Sequence, residues 1–179
     1  DFRLVLYMIV LNILGVLVMR SAVGAESFRD VQVVRQILGS FAGLAICIAL
    51  SLVDYRWIVQ EAKLIYLFCV LLLAGVLIYG TAAGHEAVRW IQLPVIGQVQ
   101  PAEFVKIGLI VFFAAYFQQA KDQINLPHIV LMAFVWFMIP ILLILLQPNL
   151  STSIIITIIV AAMVFASDIS FRWILGVVL

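Results

Sequence analysis

Two charged residues sit three positions apart just inside an apolar run: Glu103 and Lys106 in IGQVQPAEFVKIGLIVFF, residues 96–113. An unpaired charge at mid-bilayer depth costs about 2.5–3.5 kcal/mol, so two of them call for a reason. Residues i and i+3 share one helix face, which lets carboxylate and ammonium neutralise each other. Lys106 falls about five residues, or roughly 7–8 Å, into a helix starting at Pro101, and its long stem could instead snorkel to the headgroups. A pair turned into a polar cavity explains both charges at once. Upstream, Arg89-Trp90 lies in the connection GTAAGHEAVRWIQLPVIGQVQ, residues 80–100. A guanidinium offers a planar fork of donors for phosphate, and an indole anchors at headgroups. The same two residues also fit an interfacial aromatic belt with a snorkelling arginine. Downstream, LLQPNLSTSIIIT, residues 145–157, holds a second polar notch. Gln147-Pro148-Asn149 breaks the helix there, and Ser151, Thr152 and Ser153 are placed to cap the next one. An ordinary hairpin turn would use the same residues.

The elements that must position these groups are membrane helices. The 179 residues are 66% hydrophobic and 11% charged, with a mean hydropathy of +1.27, too few polar side chains to cover a soluble domain of this size. Apolar runs near the ~20 residues that cross a bilayer recur throughout. Only helices and closed barrels satisfy their backbone in lipid, and no strand pattern competes, so the expected fold is an all-α polytopic transmembrane helix bundle. The runs place helices at about 2–20, 36–53, 64–79, 101–117, 127–146 and 150–166, with a seventh starting near Phe171. The whole of 1–179 reads as a single transmembrane domain. It also reads as a fragment, because it opens inside a helical pattern and stops as another apolar run begins.

Within these helices, Gln100-Pro101-Ala102-Glu103 makes a good start, with proline at the first position and a carboxylate at the positive end of the dipole. Pro140 should kink the fifth helix, since it removes one backbone donor. Gly39-x-x-x-Gly43 in the second would allow another helix to approach closely. Cys47 and Cys69 lack any CxxC or Cys/His spacing and read as buried hydrophobes. His85 and His128 have no metal-ligand company, and Asp54 and Arg56 suit a solvated interfacial pair. A net charge of +1 without a basic cluster argues against a nucleic-acid surface. With a cytoplasmic N-terminus the inside would carry Arg3, Arg56, Lys63, Lys121 and Arg172, and the outside Arg20, Arg29, Arg35 and Arg89, with Lys106 at the boundary. That near-balance leaves orientation open. Transporters, too, combine proline-broken helices with intramembrane ion pairs. A lipid flippase or a non-catalytic scaffold therefore remains a rival to an enzyme.

Taken together, these segments resemble the SEDS family (shape, elongation, division and sporulation). The family's Arg-Trp-Ile, spacer, Gln-Pro-Ser-Glu-x-x-Lys is similar to Arg89-Trp90-Ile91 followed by Gln100-Pro101-Ala102-Glu103 and Lys106. Its Gln-Pro-Asp-Leu-Gly-Thr is similar to Gln147-Pro148-Asn149-Leu150-Ser151-Thr152. Arg35-Gln36 and Asp54-Tyr55-Arg56 also resemble family positions, and SLVDYR is closer to the rod-elongation branch than to the division branch. Ala102, Asn149 and Ser151 depart from the usual Ser, Asp and Gly, and Glu86 stands where a Gly often occurs. Asn149 matters most, because it removes a charge from the notch.

The resemblance implies ten helices in a bacterial cell membrane, a cytoplasmic N-terminus, and a peptidoglycan glycosyltransferase that polymerises lipid II. It implies an undecaprenyl pyrophosphate leaving group, a class B penicillin-binding protein as partner, and no cofactor beyond a divalent cation this sequence does not reveal. The family's essential Asp lies on a loop after the seventh helix, beyond these residues, so none here is assigned as catalytic or metal-binding. The expected substrate-binding or cavity set is Arg89, Trp90, Gln100, Glu103, Lys106, Gln147, Asn149 and Thr152.

Overall fold

A computed structural model describes residues 2–24, 30–79, 90–93, 97–170 and Trp173. The described chain forms two compact units, 1–54 and 55–179. The first holds α1 (Phe2–Val23) and α2 (Val31–Ser51). The second holds α3 (Tyr55–Gln60), α4 (Ala62–Tyr79), α5 (Pro101–Gln119), a 3-10 turn (Lys121–Gln123), α6 (Pro127–Leu146) and α7 (Leu150–Ala166). Four of these, α1, α2, α5 and α6, are long and apolar enough to cross a membrane, and α4 and α7 are shorter apolar helices. The chain is a multi-pass helical membrane protein, as its composition requires.

Several details differ from the sequence-based expectation. The second helix starts at Val31, five positions before the expected 36, because the Asp30 carboxylate accepts the Gln32 N–H at 2.9 Å and caps it. A short helix, α3, precedes α4 where no element was expected. No strand was expected either, yet Ile91–Leu93 (β1) pairs antiparallel with Gly97–Val99 (β2), Ile91 opposite Val99. Its backbone groups thereby find partners next to the helical bundle. The expected close approach at Gly39 and Gly43 is absent among the described residues, since no atom of another helix lies within 4 Å of where a Cβ would stand on either. Close approach occurs at Gly108 of α5 instead, where a Cβ would collide with Cys69 Sγ of α4.

The second unit is built on an aromatic core between α4, α5 and α6. Tyr66 lies 4.3 Å from Phe112 and 5.3 Å, edge-on, from Trp136, measured between ring centres. Pro140 is buried inside α6 and has no N–H for the carbonyl of Trp136, four residues earlier. The Tyr66 hydroxyl donates to that carbonyl at 2.8 Å. The helix continues through its proline, and the vacated acceptor has a partner from α4. Leu73, Val105, Leu109, Phe113, Ile144 and Ile156 complete the buried centre.

Candidate functional site at one end of the bundle

The interhelix contacts fix which helix ends meet. Tyr66 and Cys69 of α4 meet Phe112 and Gly108 of α5, so those two helices run antiparallel. Tyr66 meets Trp136 and Leu73 meets Gln147, so α4 and α6 run parallel. The end of α4, the start of α5, the end of α6 and the start of α7 therefore share one end of the unit. The hairpin β1–β2 leads directly into α5 at that end.

Glu103 and Lys106 stand there as a direct ion pair, Nζ to Oε2 at 2.8 Å. The i, i+3 spacing on α5 brings them together, and the first-turn carboxylate faces the positive end of the helix dipole. The Lys106 side chain is 19% exposed and that of Glu103 55%, so the pair is half covered rather than enclosed. An ion pair this open adds at most about 1 kcal/mol to stability. Its value is positional: a tethered ammonium beside apolar surface. Gln100 is the N-cap residue of α5 by backbone position, but its side chain makes no capping bond, and Pro101 takes the first helical position.

The Gln147–Thr152 turn is buried despite its polarity. Gln147 is 1% exposed, and its Nε2 donates to the Leu73 carbonyl at 3.0 Å, tying the end of α6 to α4. That bond consumes part of the donor capacity expected for a ligand. The expected caps Ser151, Thr152 and Ser153 give way to Asn149, whose Oδ1 accepts the Thr152 N–H at 3.3 Å. Asn149 is 1% exposed, and its Nδ2 is a buried donor without a hydrogen-bond partner. Thr152 and Ser153 are buried beside it. Among the described residues no hydrogen bond or ion pair joins this turn to Glu103–Lys106; what they share is the end of the bundle. Trp90 is half-buried next to β1, and Arg89 lies outside the described residues. Residue-type reasoning passed over Tyr66 and Leu73, which complete the backbone of α6 and anchor its end. The interior proline at 140 was the one available signal, since its missing N–H leaves a carbonyl to be partnered.

The described residues thus define a membrane-helix bundle with an ammonium–carboxylate pair and a buried amide turn at one end. The family model described as cell cycle protein, FtsW/RodA/SpoVE, matches residues 2–179. The chain belongs to that family. It is 35% identical over 119 residues to the probable peptidoglycan glycosyltransferase FtsW of Haemophilus influenzae, covering 66% of this chain and 29% of that protein. It is 28% identical over 173 residues to the peptidoglycan glycosyltransferase MrdB of Escherichia coli K12, covering 96% and 45%. A solved peptidoglycan synthase complex contains a chain of the same fold, with a TM-score of 0.82 and 25% identity over 99% of this chain and 51% of that one. The chain spans less than half the length of either curated relative.

Proposed function

We propose that this chain forms part of a peptidoglycan glycosyltransferase that polymerises lipid II, set in the bacterial cell membrane with its N-terminus cytoplasmic. The observation that carries the proposal is the Glu103–Lys106 ion pair at the start of α5, at the same end as the buried Asn149 turn. The activities named for the relatives support it. In this reading Arg89 and Lys106 supply cationic donors to the pyrophosphate of a lipid-linked substrate. Glu103 orients Lys106 and favours its charged form. Trp90 and Gln100 flank the entrance on the connection, while Gln147, Asn149 and Thr152 shape the opposite wall. The general base comes from elsewhere in the protein, and no cofactor is assigned to these residues. A class B penicillin-binding protein is the proposed partner, in keeping with the synthase complex that contains the related chain.

The test is glycan-strand synthesis from purified lipid II by the intact protein in liposomes. Arg89→Ala and Lys106→Ala should each slow polymerisation by about one to two decades, the worth of one charge-assisted bond acting in the transition state. Arg89→Lys should recover only part of the loss, because an ammonium keeps the charge but not the bidentate fork. Wild-type rates in all three variants would remove these residues from the mechanism. Movement of lipid II across the bilayer without polymer would replace the polymerase with a flippase.

A further inference from the structure

At the opposite end of the second unit, the chain leaving α7 is held by a single residue of the α5–α6 connection. α7 stops at Ala166, and the Ser167 hydroxyl and N–H bond back to Val164 and Met163 carbonyls at 2.7 and 2.9 Å. Beyond it, the Trp173 N–H bonds to the Ser170 carbonyl at 3.0 Å. Ser170 lies four residues beyond the last residue of α7, so its N–H needs an acceptor from outside that helix. The acceptor is Asn125 Oδ1, at 2.6 Å. The same amide donates from Nδ2 to the Asp168 carbonyl at 3.2 Å, and the Asn125 carbonyl accepts the Trp173 indole N–H at 3.1 Å. Three bonds from one residue thus hold Asp168, Ser170 and Trp173, beyond the end of α7.

The residue type follows from the task. The side chain must accept from one backbone group and donate to another, which an amide does and a carboxylate does not. Apolar contacts reinforce the grip: Ile124 beside it is buried, and Ile169 and Trp173 close a cavity of about 250 Å³ with Phe117, Phe137 and Phe165.

We infer that Asn125 is a positioning residue: reaching from the α5–α6 connection, it caps the Ser170 N–H and pins Asp168 and Trp173, and so sets where the chain goes on leaving α7. Because α5 carries Glu103 and Lys106 at its other end, the same residue links the helix of the ion pair to the chain leaving α7. The catalytic consequence rests on the polymerase reading, whereas the structural consequence does not.

The test uses the intact protein in lipid nanodiscs, with hydrogen exchange resolved at the Ser170 amide and polymerisation kinetics on lipid II. Asn125→Ala should speed Ser170 exchange about tenfold, the loss of one hydrogen bond, and leave amides in the centres of α5 and α6 unchanged. Asn125→Asp keeps the acceptor and should hold Ser170 near wild-type protection. In polymerisation, Asn125→Ala should lower kcat about three- to tenfold with KM unchanged, since the headgroup contacts stay in place, and Asn125→Asp should recover part of it. Unchanged Ser170 exchange in Asn125→Ala, or equal loss of protection in both variants, overturns the cap. Should Asn125→Ala fail to fold, Asn125→Gln takes its place: it keeps an amide but moves its oxygen one methylene from the Ser170 N–H, and should speed Ser170 exchange at least about threefold, with no change overturning the proposal. Fast Ser170 exchange with wild-type kcat overturns the positioning role in the reaction. A wild-type protein that makes no polymer overturns the polymerase reading and leaves the exchange result standing.

Discussion

At Asn149 the cap dictates the orientation of the amide. Its oxygen must meet the Thr152 N–H, which leaves the Nδ2 hydrogens buried without an acceptor. A buried donor left unmade costs about 1–3 kcal/mol, so the residue stabilises the helix start with one atom and burdens it with another. Asn149→Ala should lower unfolding stability in detergent by about 0.5–2 kcal/mol, the usual worth of an N-cap. Asn149→Ser keeps an acceptor for Thr152 and discards the orphan donor, so its loss should be less than half as large. An equal loss in the two variants would mean the cap contributes nothing. Gln147 carries a related lesson. Residue type and spacing marked both amides as polar wall, but a side chain's partners depend on which helix lies beside it. Nothing in QPN foretells that Leu73, seventy-four positions away, takes the Gln147 donor. The Glu103–Lys106 pair was legible because its partners lie on one helix, where i, i+3 geometry alone brings them together.

At the scale of elements, hydrophobic runs were enough to find the four long helices and the two shorter apolar ones, and the errors cluster where a few local bonds decide. Asp30 moved the start of α2 because one carboxylate capped it. The hairpin at 91–99 escaped notice because three-residue strands are too short for alternation to register, although Pro94 and Gly97 between apolar residues are turn signals. The interior proline shows elements depending on each other. In α6 the Trp136 carbonyl lost its donor to Pro140 and gained one from Tyr66. Tyr66→Phe should therefore cost about 1–2 kcal/mol in a proline-containing helix. Pro140→Ala restores an N–H four residues after Trp136, and in that background the Tyr66→Phe cost should shrink. A double-mutant cycle on denaturant unfolding measures the difference. Strict additivity would show that the tyrosine hydroxyl does not stand in for the missing backbone donor.

For the whole molecule, the open question in the sequence was which ends of the helices share a side. Charge does not answer it, since lysines and arginines divide almost evenly between the two sets of connections. The contacts do. Tyr66 against Phe112 and Trp136, Cys69 against Gly108, and Gln147 against Leu73 fix α4 and α6 parallel to each other and α5 antiparallel to both. The 3-10 turn and Asn125 then lie at one end, and the Glu103–Lys106 pair and the Asn149 turn at the other. In a bilayer these ends face opposite compartments, because α5 and α6 each have the length and apolarity of a full crossing. Single cysteines offer a direct readout at exposed positions of the two ends, Ser151 beside the notch and Gln123 in the 3-10 turn. The background must first lose Cys47, which is exposed, and Cys69, which fills the space above Gly108 and is best replaced by Ala or Ser. In sealed, right-side-out bacterial spheroplasts, an impermeant maleimide should label Ser151→Cys and leave Gln123→Cys untouched until the membrane is opened. The reverse pattern would put the ion pair on the cytoplasmic side and end the case for an outward-facing polymerase site. Labelling of both from outside would mean that α5 and α6 do not cross as full spans, and the parallel and antiparallel assignment would fall with them.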